Sequence, residues 1–336
     1  MLYVTTRNKV DSFTPHHVLN HDRSRDDGFF VPLQLPFFTV QQLGCLAEKT
    51  FGQCMADVLN PFFTSRLDGW DVDFCIGRQP VRMVPLNQKV YVAEAWHNPD
   101  RDFSRMVRNL ASRIRGDKEN IPPTEWAKMA TRIAVIFASY AQMCRQGFIQ
   151  PGELLDISLA AGDFSAPMAA WFARKMGLPI GNIICAAEDD SRFWDFLRNG
   201  VFQTSGSAGS ANMRSGLERL IYFTFDHEEV KRYVTCCRQG VSYSLNEFRL
   251  HKLTDGFRAA VISSRRIAAA IRGTYGAAAY LLDPISALAF SGLQDCRTAE
   301  GETRPTLMIS ESSPVHSAQF VGAAAGIPIE ELQSRL

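Results

Sequence analysis

The sequence holds no Cys-x-x-Cys pair, no long apolar run and no excess of charge of either sign. The eight cysteines lie scattered; vicinal Cys236-Cys237 falls in a helical pattern, and the set reads as reduced thiols used as small hydrophobes. The longest apolar helical stretch, Ile133–Met143, is too short to span a bilayer. The opening MLYVTTRNKV lacks the apolar run of a signal peptide, so a cytoplasmic location is expected. A formal net charge of +1 gives no electrostatic case for nucleic acid or an anionic membrane. There is no Gly-x-Ser-x-Gly nucleophile elbow; the small-residue tract 206–210 is GSAGS, a flexible loop. Internal repeats and low-complexity tracts are missing too.

What remains is an ordinary globular composition: 336 residues, 46% hydrophobic and 21% charged, enough for two domains or one large α/β domain. Its most informative stretch is Leu154–Pro179, LLDISLAAGDFSAPMAAWFARKMGLP. An apolar strand at 154–159 leads into the bend Ala160-Ala161-Gly162. Ser165 is placed to cap a helix with Pro167 in its first turn and Met168, Trp171, Phe172 and Met176 at helical spacing; Gly177 and Pro179 end it. Such a turn cradles anions, because the first helical N–H groups point into it. This one carries Asp163, a negative charge where a phosphate would sit.

The remaining pattern is read in order. Residues 1–78 give a short strand, a helix near 15–21, an apolar stretch broken by prolines, and helices at 40–47, 50–64 and 67–76; they read as a small, mainly helical lobe. Val81–Val84 and Val90–Ala95 pair like a hairpin. After the polar loop 97–102, Asp102 is placed to cap a helix at 103–114, whose four arginines spread around it as a solvated face. GDKENIPP links to a long helix that Thr124 caps. Beyond Pro179, buried strands at 180–187, 257–261 and 306–310 alternate with helices at 191–198, 211–225, 228–238, 245–253, 263–275, 283–293, 314–326 and 329–336. Glu188-Asp189-Asp190 ends a strand and reads as capping the next helix rather than binding a metal, since no histidine lies nearby. Alternating buried strands and helices predict an α/β fold with a mostly parallel sheet flanked by helices.

The order of these pieces resembles the threonine synthase family of fold-type II pyridoxal-phosphate enzymes. The likeness runs along nearly the whole chain. Tyr3…Thr6-Arg7 and Asp27-Gly28-Phe29-Phe30-Val31-Pro32…Leu35-Pro36 resemble that family's leading domain. Trp96-His97-Asn98-Pro99…Asp102-Phe103 stands where the family has Phe-His-Gly-Pro-Thr-Leu-Ala-Phe-Lys-Asp-Phe. Trp126-Ala127-Lys128 resembles the helix start after Asn-Ser-Ile-Asn. Ala161-Gly162-Asp163-Phe164-Ser165 aligns with Ser-Gly-Asn-Phe-Gly, and Ser215–Leu220 with Ser-Asn-Phe-Glu-Arg-Leu. Asp283-Pro284-Ile285-Ser286-Ala287 resembles Asp-Pro-His-Thr-Ala, and Ser310…Ser313-Pro314…Phe320 resembles Thr-Ala-His-Pro-Ala-Lys-Phe.

The departures from that pattern carry the functional expectation. The resemblance implies a Schiff-base lysine in Lys-Asp-Phe, but this chain has Arg101-Asp102-Phe103, and a guanidinium stays protonated. Lys89 and Lys118 flank the region without matching a motif position. The phosphate turn has lost its first Ser and last Gly and gained Asp163, and the two family histidines are Ile285 and Ser313. The family's small domain is replaced by 103–123, within a large domain at 79–336. A threonine synthase-like protein without pyridoxal-phosphate catalysis is therefore expected, with no cofactor, no metal and no catalytic residue. A protein partner or self-association would be its business. His97, Arg101, Ser286 and Ser313 would mark a remnant pocket, and segment 103–123 or a dimer would cover the exposed cleft. Two alternatives stand beside it. One is an amino-acid-metabolism enzyme, a pyridoxal-phosphate-dependent lyase of threonine synthase type using a residue outside the motif, or a pocket remodelled around His97, Asp100, Arg101 and Asp102. The other is a module that binds a small amino-acid-like ligand at Arg101 and the Gly162 turn.

Overall fold

The computed structural model describes residues 1–77, 81–86, 89–96, 103–116, 121–188, 192–203, 211–300 and 304–335. His97, Asp100, Arg101, Asp102, Lys118, Asp189, Asp190 and the GSAGS tract fall outside these ranges. The chain begins with β1 (Tyr3–Thr5), α1 (Pro15–Asn20), β2 (Phe30–Pro32), α2 (Val40–Ala47), α3 (Phe51–Phe63) and α4 (Gly69–Ile76). Then come β3 (Arg82–Leu86), β4 (Val90–Glu94), α5 (Phe103–Arg115), α6 (Glu125–Arg145), β5 (Leu155–Ala160), α7 (Ser165–Lys175) and β6 (Ile180–Glu188). The next stretch holds α8 (Arg192–Asn199), β7 (Val201–Phe202), α9 (Ala211–Thr224), α10 (His227–Gln239), β8 (Tyr243–Ser244), α11 (Glu247–Leu253) and β9 (Phe257–Ile262). Last are α12 (Ser264–Ala278), α13 (Pro284–Glu300), β10 (Thr306–Ser310), a 3-10 turn (Pro314–Ser317), α14 (Ala318–Ala325) and α15 (Ile329–Arg335).

The six-stranded central sheet has the order β3-β4-β10-β5-β6-β9. β3 runs antiparallel to β4 as the expected hairpin, and the other neighbours are parallel. Alternate residues of each strand enter opposite layers, as the two-residue pleat requires. Ile183, Cys185 and Leu307 join the core under α6 and α7, whereas Ile184, Ala186 and Met308 join the core under α12, α13 and α14. Both faces are therefore covered, which explains why the strands read as near-continuous apolar runs.

α6 is the hub of the first layer. Thr124 accepts a hydrogen bond from the Ala127 N–H and starts it, and most of its residues are buried on every side. Trp126 packs edge-to-face on Tyr3, Phe62 and Phe172, which brings together β1, α3 and α7. The N-terminal residues thus share one core with the sheet layer. A second tie is charged: Arg7 Nε and Nη2 each lie 3.0 Å from the buried Glu218 carboxylate on α9.

Three local expectations change. Ser165 is the first residue of α7 and not its cap: Phe164 holds the cap position at φ 62°. The two-residue strands β7 and β8 pair with each other and gave no alternation to read. α13 continues to Glu300, and Pro314 opens a 3-10 turn before α14. No helix among the described residues is long and apolar enough to cross a membrane.

Candidate functional site

Ligands of open parallel sheets sit beyond the C-terminal ends of the strands. Here that edge is formed by Glu94-Ala95-Trp96 after β4, Ser310-Glu311 after β10 and the turn 161–165 after β5. The turn is tight: Ala161 N–H donates to Ala186 O and Phe164 N–H to Ala161 O, each at 2.6 Å. Phe164 takes its left-handed conformation with the ring fully buried against Phe257, 5.5 Å between centroids. Burial of that ring holds a backbone geometry that a non-glycine residue otherwise avoids.

Asp163 completes the turn. Its Oδ1 accepts from Ser165 N–H at 3.0 Å and from the Ser165 hydroxyl. The side chain thereby does for α7 what Ser165 was expected to do, and it occupies helix-start N–H capacity that an incoming anion would use. Beside it, Arg132 of α6 donates from Nη1 to Ser165 Oγ at 3.1 Å. The other edge of that guanidinium grips Glu311 in a two-point pair, Nε–Oε1 at 2.7 Å and Nη2–Oε2 at 2.9 Å. Phe103 lies over its face, 5.0 Å from the ring centroid. Burial pulls the Arg132 pKa down, but Glu311 outweighs it and holds the group above its ordinary value. The space left among Phe103, Arg132, Leu159, Ile309 and Glu311 is about 10 Å³, room for one water.

Two further buried carboxyls flank this mouth. Asp283, at the start of α13, accepts from Ile285 N–H at 2.9 Å, Ser286 N–H at 3.1 Å, Ser310 Oγ at 2.8 Å and the Ser286 hydroxyl. Trp96 Nε1 donates to the same Ser310 Oγ at 2.9 Å. Glu94 accepts from the Tyr280 hydroxyl at 3.0 Å, with Arg82 Nε at 4.0 Å. Burial raises the pKa of both carboxyls, more than their hydrogen bonds lower it, and raises that of Tyr280 well above the usual range.

Of the residues expected in a remnant pocket, Ser286 is buried and engaged with Asp283, and Ser313 is buried as the cap of the 3-10 turn, accepting from Val315 N–H at 3.3 Å. His97 and Arg101 lie outside the described residues. Ile285 is exposed. Ala161 and Phe164 are buried, Gly162 is exposed at the tip, and Ser165 is buried under Arg132. Sequence reasoning missed Arg132, Glu311, Glu94 and Tyr280. The signal available was weak: Arg132 is a charge on the inward side of an apolar helix, and Glu311 is an acid directly after a buried strand.

Among the described residues, no three His, Cys, Asp or Glu side chains gather in a way that could hold a metal ion. The sheet order, the turn after β5 and the helix that follows define the architecture of the fold-type II pyridoxal-phosphate enzymes. As its motifs implied, the chain is similar to the threonine synthases. A scan against family models gives no match. The chain is 26% identical to threonine synthase-like 1 of Macaca fascicularis over 208 residues, 59% of this chain and 27% of that protein. It is 26% identical to threonine synthase of Eremothecium gossypii over 212 residues, 56% of this chain and 39% of that one. The match thus spans between about a quarter and two-fifths of those relatives. In fold it superposes on the pyridoxal-phosphate-bound threonine synthase of Brucella melitensis with a TM-score of 0.83 and 19% identity, covering 97% of this chain and 92% of that one.

Proposed function

We propose that this threonine synthase-like chain has given up pyridoxal-phosphate catalysis and acts by binding a protein partner, foremost a second copy of itself. The observation that carries the first half is Asp163. A phosphate dianion at the α7 start would meet a carboxylate already holding the Ser165 N–H, and like charges repel most strongly where water is scarce. The positive charge that could offset this, Arg132, is matched by Glu311 on two hydrogen bonds. Among the described residues, the space between Phe103, Arg132, Leu159 and Glu311 is about 10 Å³, room for one water and no more. The sequence position matching the family's lysine is Arg101, whose guanidinium cannot form a Schiff base. These residues do not fit pyridoxal phosphate, so no reaction step is derived through it.

The second half is supported by α4 and α5. Trp70 and Phe74 lie one turn apart on α4 and are 78% and 72% exposed. Aromatic side chains this bare mark interaction surfaces. The surrounding α4 segment carries Asp68, Asp71 and Asp73, and the adjoining α5 carries Arg105, Arg108, Arg113 and Arg115. Arg113 pairs with Asp71 and Asn109 Nδ2 donates to Cys75 O at 3.1 Å, so the two helices pack side by side and leave Trp70 and Phe74 bare beside the seam. A second copy that pairs its own Trp70 and Phe74 with these would cover them across a two-fold axis. The first half is tested by purifying the protein and adding pyridoxal phosphate. The proposal expects no borohydride-sensitive absorbance and no thermal stabilisation. A stoichiometric chromophore on a reducible lysine would overturn it and return the enzymatic reading.

A further inference from the structure

A second cavity lies in the layer of α12 and α13, on the sheet face opposite α6 and α7. It has a volume of about 330 Å³ and opens between those two helices. That volume falls in the range of small-molecule pockets, and about 150 Å³ is enough to hold one benzene ring. Ala270, Gly273 and Ala277 of α12 form one wall. Phe290 of α13 and Leu86 at the end of β3 add to the apolar lining, both only partly buried at the margin of the core in this layer. The polar lining includes the buried Thr274 and Ser291.

Packing within the chain does not require this space. A Cβ on Gly273 would meet no described atom within 4 Å, whereas a Cβ on Gly292 of α13 would lie 2.7 Å from Ala186 Cβ. Glycine inside a helix is unfavourable relative to alanine. Close packing on β6 accounts for Gly292; at Gly273 the room is left to a molecule from outside. The charge of the lining is balanced. Arg266, its one charged residue, spends both terminal nitrogens on Asp295, at 2.5 and 2.6 Å. A charged ligand would leave water for apolar walls without a counter-charge, so the cavity selects a neutral one. The hydroxyls set the polarity of the contact. Thr274 Oγ1 donates to Ala270 O at 3.0 Å, with Ile271 O at 3.1 Å, and Ser291 Oγ donates to Ala287 O at 2.9 Å. A hydroxyl has one proton and two lone pairs. With the proton committed to a helix carbonyl, each oxygen can only accept, and a ligand that meets it must donate.

We propose that this cavity binds a neutral, flat molecule of one or two rings that carries a hydrogen-bond donor, its ring between Phe290 and the Gly273 wall and its donor on the Thr274 or Ser291 oxygen. The site does not depend on the reading given above for the turn after β5. It is tested by calorimetric titration of the full chain with indole and with benzofuran, which has the same shape but an ether oxygen in place of the N–H. Indole binds at submillimolar concentration, and benzofuran about fivefold or more weaker. The double variant Thr274→Val/Ser291→Ala lowers indole to the benzofuran level and leaves benzofuran unchanged. Gly273→Leu fills the cavity and abolishes binding of both. Its Tm stays at or above that of wild type, because the new side chain enters open space and leucine favours the helix; loss of binding is then not loss of fold. Should Gly273→Leu lower Tm, Gly273→Val serves as the second filling variant. No binding of either compound at millimolar concentration, or binding that survives filling of the cavity, overturns the site. Equal affinity for indole and benzofuran overturns the assignment of Thr274 and Ser291 as acceptors.

Discussion

Removal of the Glu311 carboxylate tests how the mouth of the sheet is held. In the wild type its two oxygens take both inward N–H groups of Arg132, and the side chains are only 20% and 28% exposed. Glu311→Ala leaves a mostly buried guanidinium with one side-chain acceptor, Ser165 Oγ, and the Phe103 ring. Hydrogen bonds to charged groups contribute about 1.5–3 kcal/mol net, and breaking a buried pair from one side costs more than the pair is worth. Partial water access reduces the loss, so about 2–3 kcal/mol is expected. With an unfolding entropy of about 2.1 cal/mol/K per residue over 336 residues, about 0.7 kcal/mol/K in all, Tm falls by roughly 3–4 °C. The assay is thermal or urea unfolding of the single variants and of the double variant Arg132→Met/Glu311→Leu. Replacing both charges with apolar groups removes the stranded cation, so the double variant recovers to within about 1 kcal/mol of wild type. A Glu311→Ala cost below about 0.5 kcal/mol, or a double variant equal to the sum of the singles, refutes the pair as the element that closes the mouth.

Asp163→Ala removes the acceptor of the Ser165 N–H and costs about 1 kcal/mol in urea unfolding, whereas Asp163→Asn, itself a good cap, costs about half of that or less. The buried Asp283 and Glu94 have raised pKa values. In each case the folded state binds the proton more tightly than the unfolded chain. Wild-type stability carries no penalty from them at acid pH and loses stability as pH climbs above about 4. Asp283→Asn with Glu94→Gln therefore gains stability relative to wild type between acid and neutral pH, as read in Tm against pH. Arg219 is fully buried with both terminal nitrogens unpartnered, and burial pushes its pKa down to about 10. Arg219→Met, which keeps packing between Phe29 and Trp126, is neutral or stabilising by about 1–2 kcal/mol in urea unfolding. Trp70→Ser with Phe74→Ser shifts the protein from dimer to monomer in light scattering at fixed concentration; a wild type that is monomeric throughout removes the proposed self-association.

Most of the fold was legible because its cues are local and repeated. Thr50 and Thr124 start helices with side-chain caps on the N–H groups three residues on. The apolar runs of β5, β6 and β10 named a sheet buried on both faces. Legibility failed where the deciding contact is distant in sequence. Ser165 looks like a cap until Phe164 is seen held in its left-handed conformation by Phe257, more than ninety residues on. Arg132 and Glu311 are separated by 179 residues and Glu94 and Tyr280 by 186, so neither pair leaves a spacing to read. Asp163 was legible as an obstacle to an anion, and the geometry adds that it accepts from Ser165 N–H, the first residue of α7.

The proposal that this threonine synthase-like chain does not hold pyridoxal phosphate has a direct test. Titration of the purified protein with that cofactor, followed at once by near-visible absorbance and by thermal unfolding, tests it most directly. The account predicts a spectrum equal to the sum of the free components and a Tm that does not move. A saturable new absorbance band fixed by borohydride to a single lysine, with a rise in Tm, would contradict it.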